Sequence, residues 1–468
     1  MKKQFRSLSV ITVIACLFSI VTGCATQKTP LTESEAAAQR AAEAWDKLPK
    51  ILKHIVPPTF PDRNFDITTF GAVGDGQTDC TKAFADAIAA CNASGGGHVV
   101  VPSGTFLTGP IHLKSQVDLH VTKNATVLFT TNVAAYLPVV FTRYECTEVM
   151  NYSPLIYALD QKNIAITGEG TLDSQANKGE WHSWKSRADS SNLVQMGNSD
   201  VPVAQRVFGD GHFLRPYFIQ PTRCQNVLIQ GVKILGSPMW VISPLYCKNV
   251  TIEGVTVEAT GPNTDGCDPD SSSDVLIKDC NFSDGDDCIA IKSGRDRDGH
   301  RVNIPSRNLV IQNCHFKAGH GGVSCGSETS GGIENIYAEN CSFDSPNLDM
   351  AIRLKTNPAR GGYIRNVFVR NCDVKTATNG IHLTLRYTAG GSARDGQYIP
   401  EMKCIDVRNC HFANLLKQSL FIEGYDDKIK ISDVTVSDCV FDKAKIIGPT
   451  ITNAVNIHLF NNSGAGWE

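Results

Sequence analysis

Apolar residues in this chain alternate with polar ones in short bursts, and the bursts recur. The segments Asn226-VLIQGV, Asn249-VTIEGV, Asp274-VLIKDC, Asn308-LVIQNC, Asn335-IYAENC, Asn366-VFVRNC, Cys404-IDVRNC and Asp433-VTVSDC share one template. A polar residue starts the copy, apolar residues follow at period two, and Val or Cys closes it six places on. Asn163-IAITGE and Asn456-IHLFNN read as weaker end copies. Period two marks strands rather than helices. The starts lie roughly 23 to 38 residues apart, the signature of a solenoid, and no copy has a helical half. The pattern predicts an all-β fold of three short strands per coil, stacked along one axis over residues 58–468.

Two stretches break the pattern with helical spacing. Thr32-Glu33-Ser34-Glu35 is a capping-box start to an Ala-rich stretch from Ala36 to Ile55, ended by Pro57 and Pro58. Residues 24–57 are therefore expected as a tether and spacer helix. Between Thr78 and Cys91, the side chains Ala83, Phe84, Ala87, Ile88 and Cys91 fall on one face, which suits a helix capping the open end of the stack. The glycines at 74–76 and 95–97 lack a phosphate-loop Lys and read as turns.

The first residues read as an address. Lys2, Lys3 and Arg6 precede an apolar run from Leu8 to Val21, and Val21-Thr22-Gly23-Cys24 follows. This resembles a bacterial lipobox, with residues 1–23 removed and Cys24 lipidated. The expectation is an exported lipoprotein, at the outer membrane or facing the periplasm, that meets the membrane only through this anchor. No other stretch is long and apolar enough to cross a bilayer.

Composition narrows the partners. The formal net charge of −3 gives no reason to expect nucleic acid. The chain has 17 cysteines, and leaving out Cys16 and Cys24 gives 15. Cys280, Cys314, Cys341, Cys372, Cys410 and Cys439 share one register with Val232 and Val255, so they are expected as an interior ladder of small apolar side chains. A disulfide involving Cys80, Cys91 or Cys146 stays open. No Cys/His group has zinc spacing.

The repeat also predicts which residues stack side by side. Asp286 follows Asp274 by the same twelve places as His320 follows Asn308. Downstream, Asp287-CIAIKS aligns with Gly321-GVSCGS, Met350-AIRLKT, Asn379-GIHLTL and, upstream, Asp265-GCDPDS, which sets Asp265 beside Asp287. Period two then turns Ile289, Ile291, Val323, Cys325, Ile352, Leu354, Ile381 and Leu383 inward. Asp268, Asp270, Lys292, Ser324, Arg353, Lys355 and His382 point outward. Three carboxylates thus gather beside a histidine and two cations. Such a cluster suits glycoside hydrolysis, in which one carboxyl protonates the leaving oxygen and another activates water or attacks carbon. Crowding raises one pKa of the group, and Arg353 with Lys355 suits an acidic sugar.

Asn263-Thr264-Asp265, Gly285-Asp286-Asp287, Gly319-His320-Gly321 and Arg353-Leu354-Lys355 resemble, in order, the four signature motifs of the polygalacturonases, glycoside hydrolase family 28. The likeness runs from about Phe65 to the C-terminus; Leu354 departs from the family's usual Ile. It implies a single-stranded right-handed parallel β-helix of the pectin-lyase-like kind and inverting hydrolysis of α-1,4-galacturonan without metal or cofactor. It further implies Asp286 as the acid, Asp265 and Asp287 as the pair that activates water, and His320 as the residue tuning the acid. Arg353, Lys355 and Asn263 would bind substrate, and Tyr387 in the weaker context Leu385-Arg386-Tyr387 is a candidate for the same role. Rhamnogalacturonan or xylogalacturonan hydrolysis, a calcium-dependent lyase and a non-catalytic carbohydrate-binding surface are the alternatives. Asp268 and Asp270 are open between assisting and being solvated. Trp181, His182 and Trp184, in the long segment from Asp173 to Pro216, wall the groove or pack that segment down. Lys292 is a candidate for positive cleft potential, and Trp240 for core or groove. A monomer is expected.

Overall fold

The computed structural model describes residues 32–186, 188–388, 396–446, 448–464 and 466–467. The leader and Cys24 lie outside them. The repeated segments form the first face of a right-handed parallel β-helix. Its thirteen strands stack in chain order from Asn64–Asp66 to Ala454–Phe460. Consecutive copies hold the register read from the sequence: Val250 lies beside Val275, Val275 beside Leu309, and Leu309 beside Ile336. Each coil then turns onto a second face and a third. The third face carries Ile289–Ile291, Val323–Cys325 and Met350–Lys355 in parallel.

The polar residue that starts each copy has a conformational task. Asn163, Asn226, Asn249, Asp274, Asn308, Asn335, Asn366, Cys404, Asp433 and Asn456 all adopt φ between 54° and 59°. Asn and Asp tolerate this left-handed region better than other residues with a side chain. Their side chains also stack. Asn249 Nδ2 donates to Asn226 Oδ1 at 2.7 Å, Asn335 Nδ2 to Asn308 Oδ1 at 3.1 Å, and Asn366 Nδ2 to Asn335 Oδ1 at 3.0 Å. Cys404 adopts the same bend with no amide to offer.

A second bend, at Asp279, Asn313, Asn340, Asn371, Asn409 and Asp438, has φ between 50° and 56° and turns the chain at the cysteine ladder. The six expected cysteines are buried in that ladder. Cys80, Cys91 and Cys146 are also buried free thiols, which closes the disulfide question left open above.

The N-terminal segment is not a free spacer. It forms helix α1 (Glu33–Trp45), whose capping box joins Thr32 and Glu35, and helix α2 (Leu48–His54). Both lie against the outside of the first face. Ala41, Trp45 and Leu48 bury themselves on Val310 and Tyr337, because this apolar side of the segment needs cover and the sheet offers it. Trp45 meets Tyr337 edge-on at 5.4 Å, and the Arg370 guanidinium stacks 3.7 Å from its ring centroid. Beyond α2, Val56 exchanges two hydrogen bonds with the Asn249 side chain, and Phe60 reaches His98. The segment thus straps the face from its last coil to its first. The cap helix α3 (Thr81–Ala93) buries Ala83, Phe84, Ala87, Ile88 and Cys91, the face predicted, and residues Asp75–Asp79 before it are strand.

Asn335→Ala is expected to lower stability by about 2–4 kcal/mol, from lost amide partners and left-handed strain together. Asn335→Gly should lose only the amide part, and urea unfolding midpoints of the two variants read the difference.

Candidate active site

The coil register builds the site. Cys267 pairs with Ile289, so Asp265 and Asp287, each two residues earlier, stand side by side, and Gly266 N donates to Asp287 O at 2.9 Å. One coil on, His320 binds Asp286 twice, backbone N to O at 2.9 Å and ring Nδ1 to Oδ1 at 2.9 Å. Ala290, Ser324, Arg353 and His382 line up across four coils. From that row Arg353 Nη1 at 2.9 Å and Ser324 Oγ at 3.2 Å both donate to Asp287 Oδ1, while Lys355 Nζ donates to Oδ2 at 2.6 Å. One oxygen from each of Asp265, Asp286 and Asp287 lies within 4.8 Å of the others. A side chain at Gly321 would put its Cβ 2.7 Å from Asp287 Oδ1, so this approach requires glycine.

All the expected side chains from 263 onward meet here. Asn263 Nδ2 lies 3.5 Å from Asp286 Oδ2, and its own Oδ1 is held by buried Arg215 at 2.8 Å. The Tyr387 ring centroid is 4.9 Å from Lys355 Nζ and 5.4 Å from the Arg353 guanidinium carbon. Asp265, Asp287 and Lys355 form a buried floor, whereas Asp286 keeps 20% and His320 50% of its side chain open to solvent. Access is from that rim.

Charge is divided unequally over the three acids. Burial opposes ionisation of Asp287, yet Lys355 and Arg353 outweigh it and hold the carboxyl well below the usual range. Burial, reinforced by the Asp286 charge, pushes Asp265 well above the usual carboxylate range. For Asp286 burial again works upward, but the His320 hydrogen bond prevails and lowers it. The same bond raises His320 above its ordinary value of 6.5. One pKa of the crowded group does rise, as expected, but it is that of Asp265. The three titrate as one group.

Several outward positions are covered rather than open. The hairpin Val140–Tyr144 and Thr147–Asn151 lies over part of the third face, pinned where Arg143 meets Asp270 at 2.7 Å with both side chains buried. Asp270 is therefore neither solvated nor in a groove. Asp268 is fully buried, with no hydrogen-bond partner among the described residues and Lys292 Nζ 3.9 Å away. Lys292 is an interior countercharge, 3.2 Å from Glu328, 3.7 Å from Asp265 and 4.8 Å from the Trp240 ring, and Trp240 stacks on Tyr217. Trp181 and Trp184 are buried against each other and Tyr152, packing the insertion down rather than offering a sugar platform. His182 bonds Ser237 O at 2.9 Å. Glu328, Arg143 and Arg215 were not foreseen: Glu328 and Arg215 lie in loops and Arg143 in the inserted hairpin, where no repeat register points to them.

The three clustered oxygens are close enough to ligate a cation. Both Asp287 oxygens are already taken by Arg353 and Lys355, however, and Lys292 stands by Asp265, so fixed cations balance the donor set.

Known proteins show the same arrangement of chain. The profile of Glycosyl hydrolases family 28 matches residues 91–458. A probable polygalacturonase of Vitis vinifera is 33% identical over 411 residues, covering 84% of this chain and 77% of that one. An exo-poly-alpha-D-galacturonosidase of Dickeya chrysanthemi is 28% identical over 439 residues, covering 85% and 70%. The crystal structure of a hyperthermoactive exopolygalacturonase from Thermotoga maritima superposes with a TM-score of 0.82 at 40% identity, covering 89% of this chain and 96% of that one. With the profile spanning most of the coils, this chain belongs to Glycosyl hydrolases family 28.

Proposed function

We propose that this protein hydrolyses α-1,4-galacturonosyl linkages, removing residues from chain ends. The observation that carries the reading is the packing of Asp265, Asp286 and Asp287 against Arg353 and Lys355 at one solvent-reached rim. The two cations suit a sugar carboxylate, which competes for them with Asp287. Asp286, the most open of the three acids, protonates the leaving oxygen. Substrate lying over it excludes water, and desolvation then favours its protonated form. Asp287, ionised, accepts the proton of the attacking water, which Asp265 beside it orients. Both Asp287 oxygens are engaged and Asp265 is buried, so neither is free to attack carbon, which supports the inverting route. The clustered oxygens, within 4.8 Å of one another, are closer than the ~6.5–9.5 Å usual for inverting pairs, so engagement rather than distance supports the inverting route.

End-on action is supported by the hairpin, whose Arg143 covers Asp270, and by the packed insertion, which together leave a rim rather than an open face. The printed names of the Dickeya and Thermotoga relatives agree with it. Export as a lipoprotein through Cys24 is part of the same proposal and is supported by the leader sequence.

The test is polygalacturonate with chelator and the chain from residue 25 onward, which keeps the strap. Reducing ends should appear without absorbance near 235 nm, and the products should be short from the first time points. Absorbance abolished by chelator would instead mean a lyase, and rapid loss of viscosity would mean internal cleavage. Asp286→Asn should lower kcat by about 10²–10⁴-fold; a binding protein would have no such activity to lose.

The His320 pKa lies above 6.5 because of Asp286, so the imidazolium is present below it and lost as pH rises through it. The kcat/KM profile should fall on the alkaline side at that pKa, and His320→Gln should shift or remove that limb.

A further inference from the structure

The two ends of the core are finished differently. At the first coil, α3 lays Phe84, Ala87, Ile88 and Cys91 over the interior. At the last coil no helix follows among the described residues, and Trp467 stacks on Phe441 at 4.5 Å. Five of the ten large hydrophobic side chains exposed among the described residues lie in these final coils: Leu416, Val440, Ile446, Ile451 and Val455. Ile451 pairs with inward-facing Ile422 and is still 38% exposed, no coil among the described residues covering it. Solenoid ends ordinarily need a polar cap, and grouped exposed apolar side chains mark a contact surface.

The strap indicates what meets this end. Helix α1 begins at the last first-face strand, with Glu33 3.6 Å from His458, and runs back across the face to Tyr337. Cys24 stands eight residues before Thr32, a reach of at most about 29 Å. The α3-capped end is twelve strand spacings from this one, about 58 Å. A lipid on Cys24 therefore brings the C-terminal end to the bilayer and not the other.

We propose that the C-terminal end of the β-helix is the surface this protein sets against phospholipid. Resting on the reading of Cys24 as lipidated, the inference adds which face meets the membrane. Leu416, Ile446, Ile451 and Val455 meet the interfacial region, and exposed Lys417, Lys443 and Lys445 reach its phosphates. Asp426, Asp427, Asp438 and Asp442 share these coils, so apolar contact and tether, not net positive charge, make the attachment. The unpaired strand edges keep the contact at headgroup depth. The strand Ser273–Lys278, in the coil of Asp286, is six strands from the end, which holds the catalytic centre about 29 Å above the surface.

The full chain, purified with its native N-terminus from bacterial membranes, is reconstituted in phosphatidylcholine–phosphatidylglycerol vesicles. Ile451→p-benzoylphenylalanine and Val73→p-benzoylphenylalanine are then photolysed. With the ends about 58 Å apart, lipid adducts should form about tenfold more at 451 than at 73. In the otherwise unaltered protein, brominated lipid should quench fluorescence that Trp467→Phe removes, a readout independent of the labelled variants. With Cys24 acylated by mass, equal labelling, absent quenching or crosslinks at 451 to a second copy of the chain would overturn the orientation. An unmodified Cys24 would overturn the lipoprotein reading itself, and the same mass measurement separates the two failures.

Discussion

Coil register is the constraint on which everything else here depends, and the left-handed residue that starts each repeated copy, Asn or Asp except at Cys404, sets it. At that point the chain must bend in a region that most side chains avoid. The amide of one coil binds the amide of the next, so each bend is placed by its neighbour. A slip of one residue would turn the inward apolar set outward. It would also separate Asp265 from Asp287 and Asp286 from His320, so the bends of the first face hold the chemistry of the third.

The cluster is stable because its charges are matched in place. Three carboxylates within 4.8 Å would repel strongly if all were ionised. Arg353 and Lys355 favour the charged form of Asp287 and His320 that of Asp286, whereas burial beside Asp286 disfavours charge on Asp265. The cations that steady the free site are those suited to a sugar acid. Substrate would therefore redistribute protons among the three acids as it binds.

The sequence made much of this legible for a physical reason. In a parallel solenoid, equal offsets from a repeat start become spatial neighbours, so the pairings of Asp265 with Asp287 and of Asp286 with His320 follow from counting. Period two sorted Ile289 from Ala290 and Leu354 from Arg353 in the same way. Counting fails where the repeat stops. Nothing in the pattern foretold that the Val140–Asn151 hairpin would cover Asp270, that Arg215 would hold Asn263, or that Lys292 would turn to Glu328. The strap was recognised as helical, but its docking was not foreseen, because docking depends on outward Val310 and Tyr337, which a single strand's alternation marks as surface.

That strap changes how the solenoid can come apart. Coils that touch only their neighbours unzip from an end, each loss being local. Here one segment touches His458 in the last coil, Tyr337 midway, Asn249 further back and His98 near the first. Fraying at either end must peel the strap from coils that are still intact. A linear array of local stabilities is thereby tied into one cooperative body, and partly opened forms that expose strand edges become scarce.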